Sequence, residues 1–494
     1  MGRCPHYLAI LLGLAMPVMG QGDPDALTKM RTEAMDHSQV APVFDRFTVA
    51  IGPRLTGSPA HKLAAEFTRD WLASQGLSNA RLEPFQFGRG WELEKLTLEI
   101  SEPRYAPLIG YADAWSTSTH GEIVSTPVFI GGKTAEELDA MRARLKGAIV
   151  LSQPPMTNFV RTNRPEPSDP AYVPAPAAQV AGRGAAAGRG AGGGRGGAQR
   201  IAQILAEAGV AVVLKPSRGE HGTVFVQGRD TGPDSLPTVT LSAEHYNMLV
   251  QMAQQNVPVK LRVNVQTRFP NQDGGNTFNV LAELPGTDAA VRDEVVMIGG
   301  HLDCWHSGVG AADNADGAAT VMEAMRILKS SGLRPRRTIR VAVWSGEEQG
   351  LLGSKAWVAQ HLAGDANAAA REKFDVYFNV DAGTGPIYGW YLQNREDLRA
   401  AFDGWLEPLK PIGARRNVSE SIGNSDHVTF NDAGVPSFNA LQDYTNYDIR
   451  VHHTNMDTVD RVEIRDIRQA ALAAAWFAYS AAQAERKIPR LAAK

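Results

Sequence analysis

Five short clusters of His, Asp and Glu residues lie in the C-terminal half of the sequence and are the residues best suited to chemistry. They occupy residues 301–303, 313–314, 345–348, 381–383 and 452–457. Imidazole and carboxylate groups are preferred ligands of Zn²⁺. The clusters supply more ligands than one tetrahedral zinc needs, and they match two ions about 3.5–4 Å apart that share a carboxylate. The residue types therefore predict a metal centre that activates water and polarises a carbonyl group.

A hydrolytic metal centre also needs a group that transfers protons. Glu347 and Glu348 are adjacent, so one of them can transfer protons while the other binds metal. The spacing alone leaves open which of His452 and His453 faces the site. Each cluster has a simpler explanation when taken alone, since a single His is often structural and an Asp often caps a helix. We favour the metal centre because these explanations would have to hold for all the clusters together.

Apolar runs and helical patterns alternate from residue 276 onward, which explains how the clusters can meet. Strands are predicted at 294–300, 338–344, 375–380 and 435–441, and helices at 318–329, 351–362 and 462–484. This alternation predicts an α/β fold, with a doubly wound, mostly parallel sheet covered by helices. Ligands of such sheets bind beyond the carboxyl ends of the strands. Several clusters directly follow a predicted strand, so we expect them to share one edge of the sheet.

The clusters form part of five longer motifs. These are HLDCW at 301–305, GAADN at 310–314, SGEEQG at 345–350, DAGT at 381–384 and HHTNMDT at 452–458. Together they resemble the co-catalytic zinc peptidases of the aminopeptidase and glutamate carboxypeptidase family. HLDCW and DAGT are most similar to the branch of plasma glutamate carboxypeptidase (carboxypeptidase Q)-like peptidases. The resemblance covers residues 276–484, extends to 22–103, and implies a zinc exopeptidase fold.

The resemblance also implies a role for each candidate residue. Two Zn²⁺ per chain would be held by five ligands, one of which bridges both ions. The ligands are Asp313 as the bridge, His301 and Asp381 at one ion, and Glu348 and His453 at the other. Glu347 would be the general base and acid, and Asp303 would accept a hydrogen bond from the ring of His301. No ligand position is missing from the sequence.

The middle of the chain has a different texture, with short apolar runs between Gly and Pro residues. Short strands are predicted at 146–151, 209–214 and 238–241, and a helix at 201–208. This pattern resembles the protease-associated domain that the family often inserts into its catalytic domain. We therefore expect a β-rich insert over 106–270, between catalytic segments at 22–105 and 271–494. A Gly/Arg/Ala tract at 174–198 is predicted to be a flexible loop of the insert.

Overall composition excludes several classes of partner. The formal net charge is -3, from 50 basic and 53 acidic residues, so no strong field would attract nucleic acid or an acidic membrane. Cys4 and Cys304 are the two cysteines of the sequence. Cys4 lies in the N-terminal segment described next, so Cys304 would have no partner for a disulfide within the mature chain.

Residues 1–20 read as a signal peptide. Arg3 supplies the positive charge, residues 7–16 are apolar, and Val18 and Gly20 are the small residues of a cleavage site. The apolar run is shorter than the roughly 20 residues that span a bilayer. We therefore expect export to the periplasm or the medium, without stable membrane insertion after cleavage.

These observations predict an exported metallo-exopeptidase, an aminopeptidase or dipeptidase of short peptides. Glu347 would activate a water that bridges the two metals. The alternatives are a single-zinc glutaminyl cyclase-type acyltransferase and a non-catalytic, receptor-like relative, both of which the complete ligand set disfavours. A homodimer is an arrangement that the resemblance suggests, although no oligomer surface is readable. The role of residues 425–427 (Ser-Asp-His) stays open between the substrate pocket and the structure.

Overall fold

The computed structural model describes residues 23–172 and 195–490. The predicted signal peptide and residues 174–194 of the predicted flexible loop lie outside the described residues. Residues 195–198, the end of that loop in the sequence prediction, instead belong to a helix. No helix within the described ranges is both long enough and apolar enough to cross a membrane.

The bounds of the strands follow in chain order. They are β1 (Ser78–Gln86), β2 (Glu92–Glu102), β3 (Ala106–Pro107), β4 (Gly110–Ala112), β5 (Ile123–Ser125), β6 (Val128–Phe129), β7 (Ile149–Leu151), β8 (Val212–Pro216), β9 (Thr238–Leu241), β10 (Lys260–Arg268), β11 (Asn276–Leu284), β12 (Val295–His301), β13 (Thr338–Trp344), β14 (Phe374–Asn379), β15 (Thr384–Trp390) and β16 (Ser437–Asp443).

The bounds of the α-helices follow in the same way. They are α1 (Pro24–Asp36), α2 (Val40–Asp45), α3 (Pro59–Ser74), α4 (Ala135–Ala140), α5 (Arg142–Leu145), α6 (Arg195–Glu207), α7 (Ala243–Gln254), α8 (Asp316–Ser330), α9 (Leu352–His361), α10 (Ala368–Lys373), α11 (Arg399–Leu406), α12 (His427–Asp432) and α13 (Ile464–Gln483).

A 7-stranded sheet in the order β1-β11-β13-β12-β14-β16-β15 organises the catalytic part. Its four central strands, β13, β12, β14 and β16, run parallel. The outer strands β1, β11 and β15 pair antiparallel. The predicted α/β class is confirmed, and the parallel pairing lies in the centre of the sheet, where the predicted strands fall.

Helices cover both faces of this sheet because successive side chains of a strand point to opposite faces. On β12, Val296 and Ile298 join a core that includes α8 and the Ala-rich α13. Met297, between them, joins a separate core with Trp357 of α9 and Phe430 of α12. Both faces are therefore buried, which is the environment that the near-continuous apolar runs of the parallel strands require.

The remaining strands form two smaller sheets, in the orders β3-β2-β10-β5 and β4-β9-β8-β7-β6. They share one apolar core, which is distinct from those of the main sheet. Within them β2 pairs along its length with β10. This pairing joins residues 92–102, which the sequence analysis assigned to the catalytic part, to the sheet of the predicted insert. The protease-associated identity of these sheets stays a prediction.

Candidate metal centre

The carboxyl ends of the central strands bring the predicted clusters together. His301 is the last residue of β12, and residues 345–348 directly follow β13. Asp381 lies two residues after the end of β14, and His453 is carried by the loop that follows β16. Asp313 comes from an irregular segment that leads into α8. The expected shared edge of the sheet is therefore observed.

Asp313 lies between the two His residues. Its Oδ1 is 3.3 Å from Nε2 of His301, and its Oδ2 is 3.4 Å from Nε2 of His453. Nε2 of His301 is also 3.4 Å from Oδ1 of Asp381, and Nε2 of His453 is 2.8 Å from Oε2 of Glu348. The five residues thus form two ligand groups that share one carboxylate, as the resemblance implies.

The polar atoms of this cluster fit a metal centre better than a set of internal hydrogen bonds. Nε2 of His301, Oδ2 of Asp313 and Oε1 of Glu348 are buried and have no hydrogen-bond partner among the described residues. Ligand atoms of His301, Asp313 and Asp381 all lie within 4.8 Å of one another. Buried polar atoms without partners are costly, and metal coordination would satisfy them.

The structure separates the two neighbouring His residues by their contacts. A second group of ligand atoms within 4.8 Å of one another comes from Asp313, His452 and His453. However, it is His453 whose Nε2 lies beside both Asp313 and Glu348. The ring of His452 stacks on that of Tyr447 instead, with 5.2 Å between the ring centroids. This geometry favours His453 as the ligand, which is the choice that the resemblance implies.

Burial and mutual repulsion control the ionisation of the metal-free cluster. Burial raises the pKa of Glu347 well above its ordinary value, and Asp381 and Glu348 add to the rise against the opposing effect of His301. Burial lowers the pKa of His301, but Asp381 and Glu347 outweigh this effect and place that pKa well above its ordinary value. A metal ion must therefore displace protons from this cluster when it binds.

Asp303 supports the site through both its backbone and its side chain. Nδ1 of His301 lies 2.9 Å from the Asp303 backbone carbonyl and 3.7 Å from its carboxylate. The carboxylate accepts hydrogen bonds from the backbone N–H groups of Glu347 and Glu348, both at 3.3 Å, and from the Thr56 hydroxyl at 2.9 Å. The nearest partner of the ring is thus the carbonyl, while the carboxylate orients the Glu–Glu turn.

Two further side chains orient the ligands, although the sequence analysis gave them no such role. The Asp457 carboxylate accepts from the backbone N–H groups of Ala312, at 2.8 Å, and Asp313, at 3.2 Å. The Ser425 hydroxyl donates to Oδ2 of Asp381. Asp457 lies in the HHTNMDT motif and Ser425 in the Ser-Asp-His stretch at 425–427. The sequence therefore drew attention to both segments, but it could not show that these side chains contact the ligands.

Arg54 holds together the loops that carry the ligands. Its buried guanidinium donates hydrogen bonds to five backbone carbonyls, at distances between 2.8 and 3.1 Å. The acceptors are Leu302, Phe47, Gly52, Val309 and Gly310. Gly310 has a left-handed φ of 59°, and a Cβ there would lie 2.3 Å from Cβ of Cys304. This close packing fixes the turn that leads to Asp313.

Cys304 and residues 425–427 are packed among other residues near the site. Burial raises the pKa of the Cys304 thiol to about 11, which disfavours the nucleophilic thiolate. The Asp426 carboxylate accepts from Ser354, and His427 contacts Gln393 and a backbone carbonyl. These contacts fit the structural one of the two roles left open for residues 425–427, none of which lines the cavity beside Glu348.

A cavity of about 440 Å³ opens beside Glu348. It lies between the main sheet and residues 87–89, 115 and 227–230. Its lining combines aromatic, charged and amide side chains. The lining residues are Phe87, Arg89, Trp115, Gln227, Gly228, Arg229, Asp230, Trp305, Glu348, Gln349, Gly350 and Leu352. The cavity is of the size that a short substrate needs. Tyr444 and Tyr447 are buried and are not among its lining residues.

The fold and this ligand set fit a metal-dependent hydrolase, and comparison with known proteins shows which family the chain resembles. The sequence profile of peptidase family M28 matches residues 279–478. Human carboxypeptidase Q is 26% identical over 444 residues, which are 89% of this chain and 84% of the human protein. The chain is therefore similar to the enzymes of peptidase family M28, and the predicted metallopeptidase class is confirmed.

Solved structures show a similar fold. A peptidase M28 precursor from Shewanella amazonensis aligns with a TM-score of 0.69 and 25% identity, covering 95% of this chain and 99% of that one. A zinc aminopeptidase from Bacillus subtilis aligns with a TM-score of 0.57 and 18% identity, covering 89% of this chain and 93% of that one. At 18% sequence identity, the second comparison shows a similar fold and nothing about function.

Proposed function

We propose that this chain is an exported zinc exopeptidase that hydrolyses short peptides with two zinc ions. The observation that carries the proposal is the position of Asp313, whose two oxygens face His301 and His453 separately. A carboxylate placed in this way suits two ions rather than one. The carboxypeptidase and zinc aminopeptidase among the similar proteins support the reaction class and the metal.

The chain would hold one ion with His301 and Asp381 and the other with Glu348 and His453, with Asp313 shared. When bound, zinc supplies Lewis acidity that polarises a peptide carbonyl and lowers the pKa of water. Asp457 orients Asp313 by accepting a hydrogen bond from its backbone N–H. Ser425 orients Asp381 by donating a hydrogen bond to its carboxylate. The ligands are thus oriented before metal arrives.

Glu347 is the residue that moves the proton. Its backbone N–H donates to the Asp303 carboxylate at 3.3 Å, which holds the backbone of the Glu347–Glu348 turn in place. Its raised pKa suits a carboxylate that takes a proton from the attacking water and then gives it to the leaving amine. Neighbouring cations would lower this pKa again, so the same group can accept and release a proton near neutral pH.

The cavity beside Glu348 would receive one end of the peptide. Residues 227–230 form part of its wall, and its volume of about 440 Å³ suits a short segment of peptide. This geometry supports cleavage of short peptides from an end. The similar proteins carry names that refer to opposite ends of a peptide, so we treat aminopeptidase, dipeptidase and carboxypeptidase action as outcomes of the experiment.

Export rests on the signal peptide read from residues 1–20. A mature chain with Cys304 as its single cysteine needs no disulfide, and its buried thiol is shielded from oxidation. Short peptides in the periplasm or the medium are the substrates that this location would offer. Signal-peptide cleavage is tested by the N-terminal sequence of the protein recovered from the exported fraction, which should begin at Gln21.

Hydrolysis of dipeptides with free, blocked amino and blocked carboxyl ends by the mature chain tests the function. We expect cleavage that requires a free end, about two zinc ions per chain, and a loss of about 10²–10⁴-fold in rate for Glu347→Gln with zinc retained. Glu485→Gln, at an exposed position, is the matched control. Zinc with no cleavage would point to cyclase chemistry, and a folded chain without zinc would refute the enzyme mechanism.

A further inference from the structure

The loop that carries His453 is held by a segment from the other side of the cleft. Phe225 and Thr454 form an antiparallel bridge, and the backbone N–H of Val226 donates to the His453 carbonyl at 3.2 Å. The backbone N–H of Asn455 donates to the Val224 carbonyl, also at 3.2 Å. Residues 224–227 follow β8 and belong to the sequence region of the predicted insert, so this region reaches the metal centre directly.

Gln227 extends this contact to the ring of His453. Its side-chain amide nitrogen lies 2.7 Å from Nδ1 of His453. The opposite ring atom, Nε2, faces Asp313 and Glu348. To bind a metal, Nε2 must carry a lone pair, so Nδ1 must carry the proton. The partner of Nδ1 must then be a hydrogen-bond acceptor.

The carboxamide of Gln227 can supply this acceptor by rotation of its end group alone. Rotation by 180° exchanges its oxygen and nitrogen at nearly the same positions. With the nitrogen toward Nδ1, Gln227 suits the metal-free tautomer, in which Nε2–H donates to Glu348. With the oxygen toward Nδ1, it accepts the Nδ1–H of the metal-binding tautomer. Gln227 can therefore pair with the ring in both states.

The two His ligands differ in how they are supported. His301 is 1% exposed, and its Nδ1 contacts the backbone carbonyl of Asp303, two residues away in the same segment. His453 is 20% exposed, has a left-handed φ of 62°, and relies on a side chain distant in sequence. Support by a backbone carbonyl is insensitive to side-chain replacement, whereas support by Gln227 is not.

We propose that Gln227 is a positioning residue for the metal position formed by Glu348 and His453, and that it makes occupancy of this position depend on residues 224–227. The proposal rests on the two-zinc function proposed above. It predicts that loss of the Gln227 acceptor weakens one of the two zinc positions and leaves the position at His301 and Asp381 nearly unchanged.

Zinc affinity, measured by competition with a chromophoric chelator, tests the proposal through three variants of the mature chain. Gln227→Met keeps the side-chain length without the acceptor, and we expect about 10-fold or greater weakening of one zinc position. Gln227→Glu restores an acceptor and should bind both ions within about threefold of the unaltered chain. Gln254→Met, at an exposed position on α7, should change nothing. Far-ultraviolet circular dichroism of the metal-free variants should show an unaltered fold.

Each result separates the two proposals. An unaltered chain that binds one zinc or none would refute the two-zinc function, and with it the role of Gln227. If the unaltered chain binds two ions, then equal affinities for Gln227→Met and the unaltered chain would overturn only the positioning role. Equal weakening by Gln227→Glu and Gln227→Met would also overturn it, because packing rather than hydrogen-bond acceptance would then be responsible.

Discussion

Arg54 should contribute far more to stability than a conservative replacement would suggest. Its guanidinium donates to five backbone carbonyls from a buried position. The five carbonyls surround three separate nitrogen atoms of Arg54. A lysine ammonium keeps the charge but offers three N–H groups at one point, so Arg54→Lys should lose about two of these bonds. Hydrogen bonds from charged donors contribute roughly 1.5–3 kcal/mol each. We therefore expect the free energy of unfolding to fall by about 3–6 kcal/mol.

The loss should also reach the metal centre. Leu302 directly follows the ligand His301, and Gly310 precedes Asp313 by three residues. The hydrogen bonds from Arg54 to their carbonyls therefore stabilise both ligand loops, and the substitution would weaken them. Zinc affinity should fall together with stability. Urea unfolding in the presence of a chelator measures the first effect, and chelator competition measures the second. Arg104→Lys, at an exposed position, provides the control and should change the free energy of unfolding by less than about 0.5 kcal/mol.

A small effect would refute this reasoning. If Arg54→Lys lowers the free energy of unfolding by less than about 1 kcal/mol and retains the zinc affinity, the five hydrogen bonds do not hold the ligand loops in the way described. A large loss of stability with unchanged zinc affinity would restrict the role of Arg54 to the fold.

Further predictions concern a residue that supports a ligand and a buried carboxyl far from the site. Asp457→Asn replaces one acceptor of the backbone N–H pair at Ala312 and Asp313, and it should weaken zinc binding about 10–100-fold by chelator competition. The exposed Asp460→Asn should leave zinc affinity unchanged, and equal affinities for both variants would contradict the assignment. Burial raises the pKa of Asp375 from 3.8 to about 7, so the folded chain holds a proton that the unfolded chain releases between those values. Stability should fall as pH rises through this window, by about 1.4 kcal/mol per pH unit. Asp375→Asn should remove this pH dependence of the free energy of unfolding, measured by urea unfolding at about pH 5 and pH 8. Parallel pH profiles of the variant and the unaltered chain would show that Asp375 does not titrate in this range.

The central strands could be predicted because their signals are local. Buried parallel strands have continuous apolar runs, and chemistry-bearing residues follow their ends, so the predicted strand at 338–344 coincides with β13. The long pairing of β2 with β10 joins residues more than 150 positions apart, and no local pattern specifies it. For the same reason the antiparallel outer strands of the main sheet were not predicted.

For the site, too, the sequence indicated which residue types are present, whereas their contacts became known only from the structure. The places of the clusters after predicted strands indicated which segments meet at the edge of the sheet, and the resemblance implied the individual ligands, including His453 rather than His452. The sequence could not show which group of Asp303 contacts the His301 ring, because this depends on a difference in distance to Nδ1 between the backbone carbonyl, at 2.9 Å, and the carboxylate, at 3.7 Å. Gln227 carried no signal, because an isolated Gln on an irregular segment is ordinary until its distance to His453 is known.

Anomalous diffraction at the zinc edge from crystals of the mature chain tests the central claim most directly. The account predicts two peaks about 3.5–4 Å apart, one between His301 and Asp381, the other between Glu348 and His453, with Asp313 next to both. A single peak at full occupancy, or two peaks that do not share Asp313, would contradict it.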